Sequence, residues 1–181
     1  MRSKSLTAIC LLILTGMAGC ILCHKQKNDL CTIETVKVAF ETTDPGGKFG
    51  NRNVHVVWVE DSNGLFVKTL DLWGNKRAHN LTNWLKASGS KKGEIDGMTG
   101  ATLKAYGRYE SEWDMTDKQG NTVPDGEYRI NLELTNGNAK EKKFNLATFT
   151  INKNGQASIR KPGTTGGFEN VTIEHLCQPA R

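Results

Sequence analysis

The stretch that decides the fold is residues 113–128, WDMTDKQGNTVPDGEY. Its Asp, Gly and Pro residues are typical of tight turns: Asp side chains close turns onto backbone amides, glycine adopts positive φ, and proline presets φ before an Asp-Gly corner. Tyr128 then begins a strictly alternating run. This predicts a hairpin in which the ring of Tyr128 packs inward and its hydroxyl bonds a nearby backbone group, as in the tyrosine corner of β-sandwiches.

Asp114 and Asp117 have a second interpretation, as a catalytic carboxylate pair or as calcium ligands. Neither an EF-hand spacing nor further carboxylates accompany them, so we expect the two side chains to close the turn.

Short apolar runs recur on both sides of this hairpin, separated by turn residues. The runs are 33–40, 54–59, 65–72, 108–115, 128–134, 144–151 and 171–176. In the first run, Glu34, Val36, Val38 and Phe40 share one face, which is the more apolar of the two and is expected to point inward. Only residues 75–88 have a helical period, with Asn75 or Asn80 as candidate N-cap.

This pattern predicts an all-β protein: a single antiparallel, Ig-like β-sandwich domain with one short helix, over residues 32–178. Residues 54–59 are apolar except for one histidine, which predicts a strand covered on nearly both faces. No repeated βα units occur, so a doubly wound fold is not expected.

The first twenty residues predict export. A short basic start precedes an apolar run of signal-peptide length, too short to span a bilayer comfortably. The run ends in Met17-Ala18-Gly19-Cys20, which resembles a bacterial lipobox with Met in place of the usual Leu. We therefore predict a lipoprotein signal peptide at 1–20, lipidation of Cys20 and a flexible tether at 21–31, with cleavage by an ordinary signal peptidase as the alternative. The expected location is the periplasmic or extracellular side of the bacterial envelope.

Export makes a disulfide reasonable. Cys31 opens the first strand-like run and Cys177 closes the last one. A bridge between them would join the chain ends and stabilise the fold by about 4–5 kcal/mol in the chain-entropy model. Cys23 is then left over in the tether. A metal site at Cys23 and His24 lacks a second ligand pair, so no metal is predicted.

Charge and motifs argue against several functional classes. The formal charge of +5 includes Arg2 and Lys4 in the leader, and no basic stripe with interleaved aromatics occurs, so nucleic acid is not an expected partner. The four histidines lack a Ser or Cys in a recognisable hydrolase motif, so no catalytic residue is predicted. Lys76 and Arg77 form either an anion site at the helix start or a solvated face.

The order of motifs along the chain resembles a predicted periplasmic family, domain of unknown function 2271. The resemblance covers roughly residues 36–151 and rests on 56–61, 66–70, 76–77, 84, 96–102, 113 and 123–128. It implies an exported β-rich domain and no established activity. The hairpin also resembles the Ig-like module of flagellar hook-capping proteins.

Residues 96–102, DGMTGAT, resemble the acceptor motif of exported proteins that carry covalent flavin mononucleotide (FMN). By this resemblance Asp96, Thr99, Gly100 and Ala101 are recognition residues. Thr102 is the acceptor, whose hydroxyl a dedicated flavin transferase joins to the FMN phosphate. The resemblance implies electron transfer, with the transferase and membrane redox proteins as partners.

Two functions stay open from the sequence. One is a non-catalytic accessory or binding module of the cell envelope, with other envelope proteins as partners. In that case Asp96 and Thr99 close a tight turn and Thr102 begins the next strand. The other is an extracytoplasmic electron-transfer protein with FMN on Thr102. Flavin-binding domains follow the acceptor with a helix, whereas residues 103–113 here contain Gly107 and strand formers.

Overall fold

Alternation of apolar and polar residues gives most strands of this chain two different faces, and the strands assemble into two sheets. The computed structural model describes residues 31–43, 53–89, 98–100, 106–135, 146–165 and 167–179. The strands are β1 (Cys31–Thr42), β2 (His55–Asp61), β3 (Phe66–Trp73), β4 (Met98–Gly100), β5 (Gly107–Trp113), β6 (Gly126–Leu134), β7 (Leu146–Lys153), β8 (Ser158–Thr165) and β9 (Phe168–Pro179). A 3-10 helix (Asn75–Asn80) and α1 (Thr82–Ser88) follow β3.

The two sheets contain four and five strands. The first sheet has the order β5-β1-β9-β8, and the second has the order β4-β3-β2-β6-β7. Neighbouring strands are antiparallel except for β3 and β4, which are parallel. The prediction of an all-β sandwich with one short helix is confirmed, with this one parallel pair as an addition.

The main core lies between the sheets. Val36, Val38 and Phe40 of β1 are all buried in it, which confirms the predicted inward face. Trp113 and Tyr128 pack edge to face in the same core, with ring centroids 5.1 Å apart. Burial of such large apolar side chains is the principal stabilising term of the fold.

The second sheet is covered on both faces. Val57 and Val59 of β2 face the main core, whereas Trp58 packs with Leu81 and Trp84 of the helical segment. This second layer explains why β2 is apolar at nearly every position and confirms the predicted double coverage.

Helix α1 is capped by a distant strand. Neither helix has a side-chain N-cap, so the predicted capping by Asn75 or Asn80 is wrong. Instead the buried carboxylate of Glu133 on β6 accepts hydrogen bonds from the backbone N–H groups of Asn83 (3.1 Å) and Trp84 (2.9 Å). A carboxylate at this end satisfies free N–H groups and complements the helix dipole, so it anchors the helix to the sheet.

The hairpin at 113–128 closes as predicted. Asp117 Oδ1 accepts hydrogen bonds from the backbone N–H groups of Gln119 and Asn121, at 2.9 and 2.8 Å. The Tyr128 hydroxyl donates to the carbonyl of Pro124 at 2.7 Å. The tyrosine corner is therefore confirmed.

A disulfide joins Cys31 to Cys177, whose Cα atoms are 5.5 Å apart. It connects the first residue of β1 to β9, two strands that pair along most of their length. The bridge predicted from the sequence is therefore confirmed.

Replacing Tyr128 by Phe removes the corner hydrogen bond and leaves the ring packing in place. We expect the free energy of unfolding to fall by about 0.5–1.5 kcal/mol, because one partly buried hydrogen bond is lost. Urea denaturation measures the change, with Glu127→Gln at the exposed neighbouring position as control. A Tyr128→Phe protein as stable as the control would contradict the role of the corner.

Replacing Cys31 and Cys177 together by Ser removes the cross-link between the chain ends. The free energy of unfolding should fall by about 2–5 kcal/mol, since the unfolded chain gains conformational freedom. Denaturation under non-reducing conditions tests this, and Cys23→Ser is the matched control. Equal stability of the double variant and the control would refute the prediction.

Candidate cofactor site beside strand β4

The DGMTGAT motif enters the described structure as an edge strand. Thr99 and Gly100 lie in β4, where they pair with Leu72 and Trp73 of β3. A tight turn is therefore the wrong interpretation for residues 98–100, because a parallel neighbour holds them extended. Four predicted site residues lie outside the described part of the chain: Cys20, Asp96, Ala101 and Thr102.

The chain passes from one sheet to the other directly after this motif. β4 is the edge of the second sheet, and Tyr106 leads into β5, the edge of the first sheet. Since β3 and β4 are parallel, the segments that follow Trp73 and Gly100 leave the second sheet at the same end. Thr102 belongs to the connection between these two edges.

Four rings meet at this end of the sandwich, and we call them the aromatic cluster: Phe40, His55, Trp73 and Tyr109. The centroid of Tyr109 lies 4.4 Å from that of His55 and 6.1 Å from that of Trp73. Phe40 packs edge to face on His55 at 5.4 Å. Trp73 is partly exposed, whereas the other three rings are buried.

Polar contacts fix the orientation of the buried histidine. The Asn53 amide donates to Thr42 Oγ1 at 2.9 Å, and its Oδ1 lies 3.0 Å from His55 Nδ1. Because an amide oxygen only accepts, Nδ1 carries the proton in this contact. His55 is thus a packed core residue, as its strand position predicts.

Trp73 and Tyr109 share an acidic neighbour. The Trp73 indole N–H donates to Asp71 Oδ2 at 2.6 Å. Burial raises the pKa of Tyr109 above its usual value; a hydrogen bond with Asn53 opposes that rise and the charge of Asp71 adds to it. Tyr109 is therefore a neutral phenol at ordinary pH.

A guanidinium lies just beyond the end of β3. Gly74 has φ of +123° and a Cβ there would be 2.6 Å from Val54 Cγ1, so this exit from the strand requires glycine. The backbone N–H of Arg77 donates to the Gly74 carbonyl. Nη1 of Arg77 is buried and has no hydrogen-bond partner in the part of the chain that the structure describes. A buried cationic donor without an acceptor is costly, so the position is suited to an anion.

A buried ion cluster lies at the opposite end of the sandwich, and its pairing was not predicted from the sequence. Glu34 Oε2 lies 2.8 Å from His175 Nε2, and Glu34 Oε1 lies 3.6 Å from Lys153 Nζ. The hydrogen bond with Asp125 raises the pKa of Lys153, burial opposes the rise, and Glu34 adds to it. Glu34 shares the inner face of β1 with Val36, which is the signal that it is buried. The cluster links the two sheets near the disulfide.

Asp114 and Asp117 hold the hairpin turn. Asp114 Oδ1 accepts from Lys68 Nζ at 3.0 Å and from the Thr116 hydroxyl at 2.6 Å. Asp117 bonds backbone amides of its own turn, as described above. Within the described ranges, no group of three His, Cys, Asp or Glu side chains is placed to hold a metal ion.

A family model described as a predicted periplasmic protein, DUF2271, matches residues 35–166. Searches of the curated proteins and of the solved structures gave no match. Among the described residues, no helix is long and apolar enough to cross a membrane.

Proposed function

The chain belongs to the predicted periplasmic family DUF2271, and from this premise we propose that it is an extracytoplasmic electron carrier with FMN esterified to Thr102. The motif matches the acceptor pattern at Asp96, Thr99, Gly100, Ala101 and Thr102. The observation that carries the proposal is that the segment containing Thr102 starts opposite Trp73 and ends at β5, which holds Tyr109. Both ends of the acceptor segment therefore adjoin the aromatic cluster.

The described residues fit the chemistry of this group. FMN attached through its phosphate brings an anionic phosphodiester and a flat aromatic ring. Arg77 follows β3 at the end where the chain leaves β4, and its buried Nη1 has no acceptor among the described residues. Arg77 would hold the phosphate, since a guanidinium suits phosphate oxygens. Trp73, the partly exposed member of the aromatic cluster, would supply an apolar surface for the ring.

When bound, FMN supplies one- and two-electron chemistry that no side chain offers. The protein's part is to bind the phosphate, orient the ring and exclude water from its inner face. The predicted lipid on Cys20 would keep the domain at the membrane. Membrane redox proteins are the expected electron partners, and a flavin transferase is required for attachment.

Co-expression with a flavin transferase tests the attachment. The wild-type protein should gain the mass of one FMN and fluoresce in a denaturing gel. Thr102→Val should lose both signals, because only a hydroxyl can form the ester, whereas Thr172→Val should keep them. An unmodified wild-type protein, or a modified Thr102→Val protein, would refute the proposal.

A second candidate, a partner-binding module of the envelope, is favoured by the outer face of the first sheet. Helices cover the outer face of the second sheet, whereas the first sheet presents a groove of about 590 Å³. Its charged lining residues are Lys37, Arg108, Glu110, Glu112, Lys161 and Glu174. Both signs of charge alternate there, and a protein surface with a matching pattern would fit.

A photo-crosslinking residue at Glu110, inside the groove, tests this candidate in intact envelopes. We expect one adduct of defined mass from that position and none from Glu127 on β6. The adduct should weaken severalfold when Arg108→Glu reverses a groove charge, because charge complementarity favours association. Equal labelling from both positions would exclude a specific site in the groove.

A further inference from the structure

Exposed apolar side chains gather on the outer face of the first sheet, at the end where the described part of the chain begins. Ile33 of β1 is 52% exposed and Ile159 of β8 is 64% exposed. Leu176 of β9 is partly exposed. This face is opposite to the one that carries Val36 and Ile173 into the core. Single exposed aliphatic residues are normal on a protein surface, whereas a contiguous group marks an interaction surface.

The strand register makes these three side chains neighbours. On β9, Leu176 is two residues from Gln178, the partner of Ile33, so Ile33 and Leu176 are diagonal neighbours. Leu176 is likewise two residues from Glu174, the partner of Ile159 on β8. Diagonal neighbours on one face are about 7–8 Å apart, which long aliphatic side chains bridge. We call the three residues the apolar strip: Ile33, Leu176 and Ile159.

The apolar strip begins beside the point where the chain enters the domain. Ile33 is two residues from Cys31, and Leu176 is next to Cys177, the other half of the disulfide. The disulfide therefore fixes the entry point to this corner of the sheet. The predicted lipid is on Cys20, and the ten residues between it and Cys31 span at most about 40 Å. A lipid at that position keeps this corner within the same distance of the bilayer.

On the basis of the predicted lipid at Cys20, and independently of the flavin, we propose that the apolar strip rests on the phospholipid bilayer that holds the lipid anchor. The acyl chains supply the affinity, and the tether turns a weak surface contact into an intramolecular one. Each aliphatic side chain of the strip is removed from water at the interface, which favours this orientation over others. The strip thus decides which face of the domain meets the membrane.

The charges beside the strip suit a phospholipid headgroup region. Lys161, two residues from Ile159 on β8, is exposed and lines the outer face of the sheet. Its ammonium can pair with a lipid phosphate. Glu174 also lies beside the strip, and Lys37, directly opposite on β1, offsets its negative charge.

Glu110, the groove position chosen above for crosslinking, is well separated from the strip. It lies opposite Ala39 of β1. Ala39 is six residues along the strand from Ile33, which corresponds to about 20 Å of extended chain. Crosslinkers at Glu110 and at Ile159 therefore report on different contacts of the same face.

Photo-crosslinking of the full-length protein in intact envelopes tests the docking. A crosslinking residue at Ile159 should form adducts with the mass of phospholipids. Leu65 is the matched control, since it is 65% exposed but precedes β3 of the second sheet, which lies about 10 Å behind the first. It should form severalfold fewer such adducts. A protein adduct at Ile159, or equal phospholipid labelling from both positions, would overturn the inference.

A charge within the strip provides the second test. Ile33→Asp should lower phospholipid labelling from the crosslinker at Ile159 severalfold, because a carboxylate is costly against acyl chains, whereas Leu65→Asp should leave it unchanged. Unchanged labelling in Ile33→Asp would overturn the docking. Detergent-phase partitioning of the same protein reports on the anchor: lipidated protein without a phospholipid adduct at Ile159 would overturn the docking alone. Protein that stays in the aqueous phase would overturn both the anchor and the docking, and would leave the flavin proposal standing.

Discussion

The parallel pairing of β4 with β3 is the constraint on which the candidate site depends. Only three residues form it, yet it places Gly100 opposite Trp73 and makes the chain leave both strands at the same end. Gly74 permits β3 to turn sharply there and leads to Arg77. An antiparallel partner would have carried the segment after Gly100 to the other end of β3, away from Arg77. The direction of one short strand therefore decides at which end of β3 the chain leaves the second sheet after Gly100.

The rest of the sandwich holds this edge in place. Interleaved apolar side chains from both sheets fix β2 and β5, which carry His55 and Tyr109. The helical layer packs on the outer face of the second sheet, and Glu133 ties it to β6. The disulfide and the buried Glu34 cluster close the opposite end of the sandwich. The candidate site thus lies at the end of the domain where no covalent link joins the described strands.

The sequence predicted those parts of the fold that rest on local patterns. Alternation identified the long strands, and the turn chemistry before Tyr128 identified the corner, because both depend on residues close in the chain. β4 lacked a signal since a three-residue strand is too short to alternate, and β8 lacked one since it is exposed along most of its length. The Glu133 cap involves residues about fifty positions apart, so only the folded structure shows it. For the candidate site, the motif matched an acceptor pattern, whereas the position of Gly100 opposite Trp73 depends on strand direction.

Peptide mapping of protein co-expressed with a flavin transferase tests the central claim most directly. Trypsin releases residues 93–104 as one peptide that contains both Thr99 and Thr102. Thr99 is held in β4 against Leu72, whereas Thr102 occupies the acceptor position of the motif. Fragmentation of this peptide should locate the FMN ester on Thr102. An ester on Thr99, or a peptide that carries no FMN, would contradict the claim.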